Sequence, residues 1–271
     1  MLLNDCHVHT GNSGKKPEDF IKLLDEANVQ RAILLSYPPD AIRFINPETQ
    51  LDRLKTVLET CETYPDRLVP FYFIDPLEED AIDQVERAVE SGIRGFKVIP
   101  KGYFPRDPIP MKVFERIGQL EKPILFHAGI SYGGMSFNSR PADYELLLEV
   151  PKLKFILAHV AWPWHDECIA LYGKWNWLKS NGRTTAEMFI DSSPGTPKLY
   201  REEVLSKVYN IGYKIEDNFL WGTDCTCDYN VEYSQSIVSN DSAILDRVGI
   251  TAEQKEKYFS KNFLRFIGEA E

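Results

Sequence analysis

The feature of this sequence that most restricts its fold is a regular alternation of short apolar runs with longer amphipathic segments. Short apolar runs bounded by Gly, Pro or polar residues are typical of strands buried in a parallel sheet. Eight candidate strands are found, at Leu2–Val8, Arg31–Ser36, Leu68–Ile74, Arg94–Ile99, Pro123–Phe126, Lys154–Ala158, Glu187–Ile190 and Asn218–Trp221. Segments with helical periodicity lie between them, at Pro17–Ala27, Pro47–Tyr64, Leu77–Ser91, Met111–Leu120, Ala142–Val150, Asp166–Lys179 and Lys198–Ile211.

Strict alternation of strand and helix predicts parallel strands joined by right-handed crossovers. Eight such units close into a barrel more naturally than they form an open sheet, and barrels of this kind run to about 250 residues as one domain. The 271 residues therefore predict an α/β protein with a single (β/α)8 TIM-barrel domain over residues 1–271. After the eighth strand the pattern loosens, and two short helices are expected there, Ala252–Phe259 and Phe263–Gly268.

Composition excludes several classes of partner. The formal net charge of -10 opposes binding to nucleic acid, which depends on clustered Lys and Arg. No stretch approaches the about 20 apolar residues of a membrane span, and the first residues do not read as a signal peptide. The five cysteines are scattered, as is usual in a reducing compartment. We expect a cytoplasmic protein that acts on a small molecule, with no nucleic-acid or membrane partner; a homodimer is left open.

The histidines concentrate where a parallel barrel places its functional groups, at the carboxyl ends of the strands. Four of the five histidines fall at such ends: His7 and His9 in the first strand, His127 in the fifth and His159 in the sixth. A single histidine in such a place is more often a hydrogen-bonded core residue, but four in equivalent places indicate a shared site.

The spacing of His7 and His9 allows both imidazoles to face the barrel axis, because residues two apart on a strand share a face. Asp224 follows the eighth strand, which neighbours the first once the barrel closes. With His127, these residues form a nitrogen-rich set containing one carboxylate, the composition expected for zinc or a similar ion. The sequence therefore predicts one divalent metal ion, with zinc as the expected metal.

In its motifs the sequence resembles the amidohydrolase superfamily, in particular the amidohydrolase 2 group that includes aminocarboxymuconate semialdehyde decarboxylase. The similar motifs follow one another through nearly the whole chain. They are Asp5-Cys-His-Val-His-Thr, Gly95-Phe-Lys-Val-Ile-Pro, Phe126-His-Ala-Gly, Ser139-Arg-Pro, Leu157-Ala-His-Val, Gly222-Thr-Asp-Cys and Lys261-Asn-Phe-Leu-Arg-Phe-Ile-Gly. The resemblance is specific for the family and says little about the substrate.

The resemblance implies a role for each strand-end residue. His7, His9 and His127 would be metal ligands, and Asp224 would be both a ligand and the base that takes a proton from the attacking water. His159 would bond to the substrate or to that water. The physical logic agrees, since a divalent cation lowers the pKa of bound water and a nearby carboxylate can relay its proton.

Lys97 has two interpretations. In some members of the superfamily with two metal ions, a carboxylated lysine at this position bridges them. The alternative, which we favour, is a plain ammonium group that pairs with a carboxylate, and a single metal ion.

Other residues near strand ends are weaker candidates for binding substrate. Asp75 and Asp191 could face the pocket or could simply form turns. Arg140 could bind a substrate carboxylate or tie down its own loop. His165 and Trp162 follow the sixth strand and could contact the substrate, whereas Cys225 and Cys227 are expected to be bystanders.

Three functions fit these residues. The first is hydrolysis of a C–N, C–O or lactone bond in a small, carboxylated metabolite. The second is non-oxidative decarboxylation with the same ligands, since fold and ligands do not separate the two reactions. The third, from another class, is a catalytically inactive barrel used for binding, which predicts losses among the ligands, whereas every expected ligand type is present.

Overall fold

The predicted alternation of strands and helices is present in the computed structural model, which describes residues 2–11, 16–39, 49–132 and 134–269. The strands are β1 (Leu3–His9), β2 (Val29–Leu35), β3 (Leu68–Phe73), β4 (Gly95–Val98), β5 (Pro123–Phe126), β6 (Lys154–Leu157), β7 (Glu187–Asp191), β8 (Phe219–Leu220) and β9 (Cys225–Thr226). They form one parallel sheet in the order β8-β7-β6-β5-β4-β3-β2-β1-β9.

The segment predicted as the eighth strand contains β8, and a second short strand that was not predicted, β9, follows it and closes the barrel. Strand β8 pairs with β7, and β9 pairs with β1. Between them the Cys6 amide donates to the Trp221 carbonyl at 3.2 Å and the Asp224 amide donates to the His7 carbonyl at 2.9 Å. The (β/α)8-barrel prediction is therefore confirmed.

Most helices lie close to their predicted positions. The α-helices of the described residues are α1 (Pro17–Glu26), α2 (Gln50–Glu62), α3 (Ala81–Glu90), α4 (Pro108–Gln119), α5 (His165–Ser180), α6 (Lys198–Asn210), α7 (Val231–Val248), α8 (Ala252–Glu256) and α9 (Asn262–Ile267), with a π-helical turn at Lys257–Lys261. The predicted start of the second helix at Pro47 lies outside the described residues. Shorter 3₁₀ helices occur at Ser136–Ser139, Pro141–Glu149, Ala158–Ala161 and Ile215–Asp217.

The segment predicted as a helix over Ala142–Val150 is a 3₁₀ helix rather than an α-helix. Its buried residues include Pro141, Tyr144 and Leu147, which are three apart. Because a 3₁₀ helix has three residues per turn, this spacing places them on one line facing the barrel.

The segment after the eighth strand, where the sequence pattern loosens, contains a helix that was not predicted, the 18-residue α7. Its buried face contains Ser234 and Asp241 as well as Ile237 and Ile244. Two polar residues on that face interrupt the apolar periodicity that reveals a helix in a sequence.

The core has two layers, one inside the barrel and one between the strands and the helices. At the amino-terminal end of the barrel the interior is filled by α9, whose Phe266 ring lies 5.4 Å from that of Phe189 and 6.1 Å from that of Phe71. This filling leaves the carboxyl ends of the strands as the open end. Within the described residues, no helix combines the length and apolar character that crossing a membrane requires.

Candidate active site

His7 and His9 lie side by side at the carboxyl end of β1, with ring centroids 5.2 Å apart. His7 is fully buried, whereas the side chain of His9 is 25% exposed. Alternate residues of this strand thus place two imidazoles side by side, and their role as metal ligands stays a prediction.

Asp224 lies between β8 and β9 and completes a triad with these two histidines. Its backbone is left-handed, with φ of 57°, a conformation that Asp adopts more readily than most residues. Oδ1 of Asp224 lies 3.3 Å from Nε2 of His7 and 3.2 Å from Nε2 of His9. The first and last strands of the barrel thus bring their polar groups to one point.

The spacing of this triad fits a divalent cation. For ligands at about 2.1 Å, neighbouring ligand atoms are separated by about 3.4 Å in a tetrahedron and about 3.0 Å in an octahedron. The observed separations of 3.2 and 3.3 Å fall between these values. Two imidazoles and a carboxylate therefore offer a suitable set without selecting between metals of either geometry.

The protonation states of His7 and Asp224 also suit a cation, since ligands must be deprotonated to bind. Burial, reinforced by the nearby charge of Lys97, lowers the pKa of His7 to about 4. Burial acts to raise the pKa of Asp224, but the neighbouring His7 and a hydrogen bond from His9 outweigh it and hold that pKa well below its usual range. At neutral pH His7 is therefore uncharged and Asp224 is ionised.

His127 follows β5 and faces the same cavity, although its nitrogens do not belong to the close triad. Its Nε2 donates to the Ile130 carbonyl at 3.0 Å, and its ring lies 5.0 Å from that of His159. Since a carbonyl only accepts, His127 carries its hydrogen on Nε2 and leaves Nδ1 as the nitrogen able to bind an ion. Burial, and next the nearby His159, lower its pKa well below the usual range.

His159 follows β6 in a left-handed turn. The φ angles of His159, Val160 and Ala161 are 62°, 47° and 52°, and a β-branched residue is rarely found in this region. The His159 ring stacks on that of His7 at 5.2 Å and lies in the wall of the cavity. The strained turn is the local feature that directs this side chain inward.

Asp191 is fully buried beneath the histidines, at the end of β7. Its Oδ2 accepts from Nδ1 of His7 at 3.1 Å, and its Oδ1 accepts from the backbone amides of His159 and Ser193, both at 2.9 Å. Burial acts to raise its pKa, but the hydrogen bond from His7, the neighbouring rings of His7 and His159 and the Ser193 hydroxyl hold the pKa well below its usual range. Although Asp191, His7 and His159 also form a close group, both oxygens of Asp191 already accept hydrogen bonds.

Lys97 is fully buried at the end of β4, and its Nζ lies 3.1 Å from Nε2 of His7. Burial lowers its pKa to about 8, against the opposing attraction of Asp224 and Asp191. Its contact with Nε2 of His7 places it beside the triad, and both interpretations of its role stay predictions.

The histidines and Asp224 line a cavity of about 650 Å³. Two of the weaker candidates, Asp75 and Trp162, also line it. The described residues of its wall do not include Arg140, which is held over the Trp164 ring and pairs with Glu167 at 3.3 Å. Arg140 thus ties down its own loop.

Two further candidates lie outside the cavity wall. The ring of His165 stacks on that of Trp162, and its Nε2 lies 3.2 Å from Nζ of Lys207. Asp191 lies beneath the histidines and hydrogen-bonds to His7.

A residue that sequence reasoning missed is Ser193, whose hydroxyl touches both His7 and His159. The run Asp-Ser-Ser-Pro after β7 was its only signal, and it resembles an ordinary turn.

Comparison with known proteins agrees with this fold. The structure is similar to that of an uncharacterized TIM-barrel protein from Bordetella bronchiseptica, with a TM-score of 0.71, 14% identity and 99% of each chain covered. It is also similar to 5-carboxyvanillate decarboxylase from Novosphingobium aromaticivorans with bound manganese, with a TM-score of 0.65, 12% identity and coverage of 98% of this chain and 96% of that one.

A candidate 2-pyrone-4,6-dicarboxylic acid hydrolase from Pseudomonas putida gives a TM-score of 0.62 at 16% identity, covering 98% of this chain and 97% of that one. Among proteins of curated function, none matches the chain in sequence. The family model described as Amidohydrolase matches residues 5–268, which is nearly the whole chain. The chain therefore belongs to the amidohydrolase family.

Proposed function

We propose that this protein is a metal-dependent hydrolase that cleaves a C–N, C–O or lactone bond in a small, carboxylated metabolite. The observation that carries the proposal is the convergence of Nε2 of His7 and Nε2 of His9 on Oδ1 of Asp224, at 3.3 and 3.2 Å, in a cavity whose wall also contains His159. A cavity of about 650 Å³ has the size of a small-molecule site.

His7, His9 and Asp224 would hold the metal ion, with His127 as a further ligand through Nδ1. A divalent ion bound there lowers the pKa of a coordinated water toward neutrality and polarises an acceptor oxygen. Zinc is the ion we propose from the mixture of imidazole and carboxylate. The similar 5-carboxyvanillate decarboxylase structure holds manganese, and the ligand spacing here fits that ion as well.

The protein's own groups would move the proton and orient the substrate. Asp224, ionised at neutral pH, would accept the proton of the attacking water and deliver it to the leaving group. His159 would form a hydrogen bond with the water or with the substrate oxygen. The wall also contains Lys97 and Lys101, whose positive charges would attract a carboxylate group of the substrate.

Decarboxylation is the second candidate, because one similar structure is a decarboxylase and another is a candidate hydrolase of a pyrone dicarboxylic acid. In that reaction Asp224 would help deliver a proton to the carbon that loses carbon dioxide.

The test is metal analysis of the purified protein, followed by chelation, addition of zinc or manganese, and assay against lactones, amides and aromatic acids with carbon dioxide measured in parallel. Hydrolysis that is lost on chelation and restored by the ion supports the proposal. Carbon dioxide release without hydrolysis selects decarboxylation. A protein that takes up no ion and converts no compound overturns both and supports the inactive binding barrel.

A further inference from the structure

The Ser193 hydroxyl contacts both His7 and His159, whose stacked rings form part of the cavity wall. Its Oγ is 3.1 Å from Nδ1 of His7 and 2.9 Å from Nδ1 of His159, and it also contacts Oδ1 of Asp191. Ser193 and Asp191 are 1% and 0% exposed, so bulk water does not compete for these hydrogen bonds. One hydroxyl and one carboxylate thus meet two imidazoles in a closed space.

The number of available protons limits how these groups can bond. A serine hydroxyl has one hydrogen to donate, and an ionised carboxylate has none. The nearby Asp191 carboxylate is the strongest acceptor in reach, so the hydroxyl hydrogen points to its Oδ1. The serine lone pairs then face the two ring nitrogens, which form favourable contacts only if each nitrogen carries a hydrogen.

Two oxygens that can only accept also indicate, independently of the serine hydroxyl, that Nδ1 of each ring carries a hydrogen. Oδ2 of Asp191 lies 3.1 Å from Nδ1 of His7, and the backbone oxygen of Ser193 lies 3.3 Å from Nδ1 of His159. Lys97 Nζ approaches Nε2 of His7 at 3.1 Å, and an ammonium group only donates. Oδ1 of Asp224 lies 3.3 Å from the same Nε2 and would favour a hydrogen there, in competition with Lys97. Because a neutral imidazole carries one hydrogen, the two acceptors at Nδ1 together with the Lys97 donor at Nε2 outweigh Asp224 and favour a hydrogen on Nδ1 and a lone pair on Nε2.

The loop that carries these groups is firmly anchored. The guanidinium of Arg201 donates to the Ser192 carbonyl at 2.8 Å and forms a two-point ion pair with Asp241 at 2.7 and 2.6 Å. The amides of His159 and Ser193 bind the same oxygen of Asp191. Neither Asp191 nor Ser193 can turn away without breaking several of these bonds.

We propose that Asp191 and Ser193 are positioning residues that hold the neutral imidazoles of His7 and His159 in the tautomer protonated on Nδ1, in which Nε2 carries no hydrogen. For His7, this form leaves the triad nitrogen available to a metal ion. For His159, it makes the ring a proton acceptor toward water or substrate rather than a donor. The consequence for turnover rests on the proposed function, whereas the tautomers themselves do not.

The Asp191→Asn variant gives the sharpest test, because the amide has a defined orientation. Three hydrogen-bond donors surround Oδ1, namely the amides of His159 and Ser193 and the Ser193 hydroxyl, so the amide oxygen will take that place. The new NH₂ group then faces Nδ1 of His7, which must accept, and the ring hydrogen moves to Nε2. We expect this variant to lose metal affinity by about 10 to 100-fold, although Asp191 is not itself a proposed ligand.

The measurement is the ¹⁵N–¹H long-range spectrum of the histidine rings in metal-free protein, assigned with single histidine variants. Wild-type protein should show hydrogens on Nδ1 of His7 and His159, and Asp191→Asn should show His7 protonated on Nε2. In Ser193→Ala, only the 3.3 Å contact to the backbone oxygen remains for His159, so its Nε2-protonated form should become populated. Ser193→Thr, which retains the hydroxyl, should restore the wild-type pattern.

Ser192→Ala is the matched control, because this neighbouring buried hydroxyl contacts Tyr258 instead of the histidines. It should leave both tautomers unchanged. A wild-type spectrum with His7 or His159 protonated on Nε2 overturns the inference, as does a Ser193→Ala spectrum identical to wild type. The spectra need neither metal nor substrate, so a protein without activity that shows the expected tautomers would contradict the proposed function and leave this inference standing.

Discussion

Asp224 and His9 lie far apart in the chain, yet Oδ1 of Asp224 is 3.2 Å from Nε2 of His9. The contact exists because β9 pairs with β1, which places Asp224, the residue just before β9, beside the carboxyl end of β1. The same oxygen lies 3.3 Å from Nε2 of His7. The barrel closure and the candidate metal site are therefore one structural feature.

His9→Ala should lower metal content and activity together, since it removes one nitrogen of the triad. His159→Ala should keep most of the metal while turnover falls by about 100-fold or more, the usual range for a lost acid or base. Metal content by mass spectrometry, measured beside kcat, distinguishes the two variants. Equal metal loss in both would contradict the separate roles assigned to these histidines.

Gly195→Ala should slow turnover with little loss of stability. An added Cβ would lie 2.8 Å from Cβ of His159, closer than real side chains approach, so the histidine must move. A displacement of the order of 1 Å at a reacting group costs about 100-fold in rate, and we expect kcat to fall by about 10 to 100-fold.

The control for Gly195→Ala is Gly134→Ala, where the nearest atom to an added Cβ is Cγ of Lys101 at 3.4 Å, an ordinary contact. Its kcat should match that of the wild type. If the two variants have equal activity, the close packing of Gly195 on His159 does not set the position of the ring.

The barrel could be predicted because its strands are buried on both faces and read as separate apolar runs. The prediction of helices missed α7, where a tertiary ion pair takes the place of apolar burial. Helix α7 places Asp241 on its buried face, and this is favourable only because Arg201 on α6 pairs with it. A partner on another helix leaves no trace in local periodicity.

The positions of His7, His9 and Asp224 could also be predicted, because the ends of neighbouring parallel strands must meet. The support given by Ser193 could not, since a serine after a strand is ordinary turn chemistry and its contacts depend on how the loop folds. Arg140 shows the reverse case. For this arginine near the mouth the sequence left substrate binding and anchoring of its own loop equally open, because the ion pair with Glu167 on α5, at 3.3 Å, forms only in the folded chain.

Arg201→Met should destabilise the protein strongly. The variant leaves Asp241 as an unpaired carboxylate that is fully buried, and breaking a buried pair from one side costs about 3 to 5 kcal/mol. The free energy of unfolding from urea titration measures this loss.

Two further variants test that interpretation of the Arg201 pair. Arg201→Met/Asp241→Leu should recover much of the stability, because neither charge then remains buried alone. Arg247→Ala, which breaks a similar two-point pair with Glu202 at the surface, should leave the urea midpoint close to the wild-type value. A double variant no more stable than Arg201→Met would show that the ion pair itself, and not the stranded charge, is what matters.

Glu269→Gln should destabilise the protein at neutral pH and have little effect in acid. Glu269 binds Arg31 beneath the barrel and accepts from Arg94 at 3.0 Å, and the hydrogen bond from Arg31 holds its pKa below the usual range. A carboxyl group with a lowered folded-state pKa contributes stability above its unfolded pKa of about 4.3, and loses it as the pH falls through the folded value. Because the pair is partly exposed, we expect at most about 1 kcal/mol at pH 7. Urea titrations of both proteins from pH 7 to pH 3 should show the difference shrinking only below about pH 4.3, and a difference that is constant across this range would exclude an electrostatic origin.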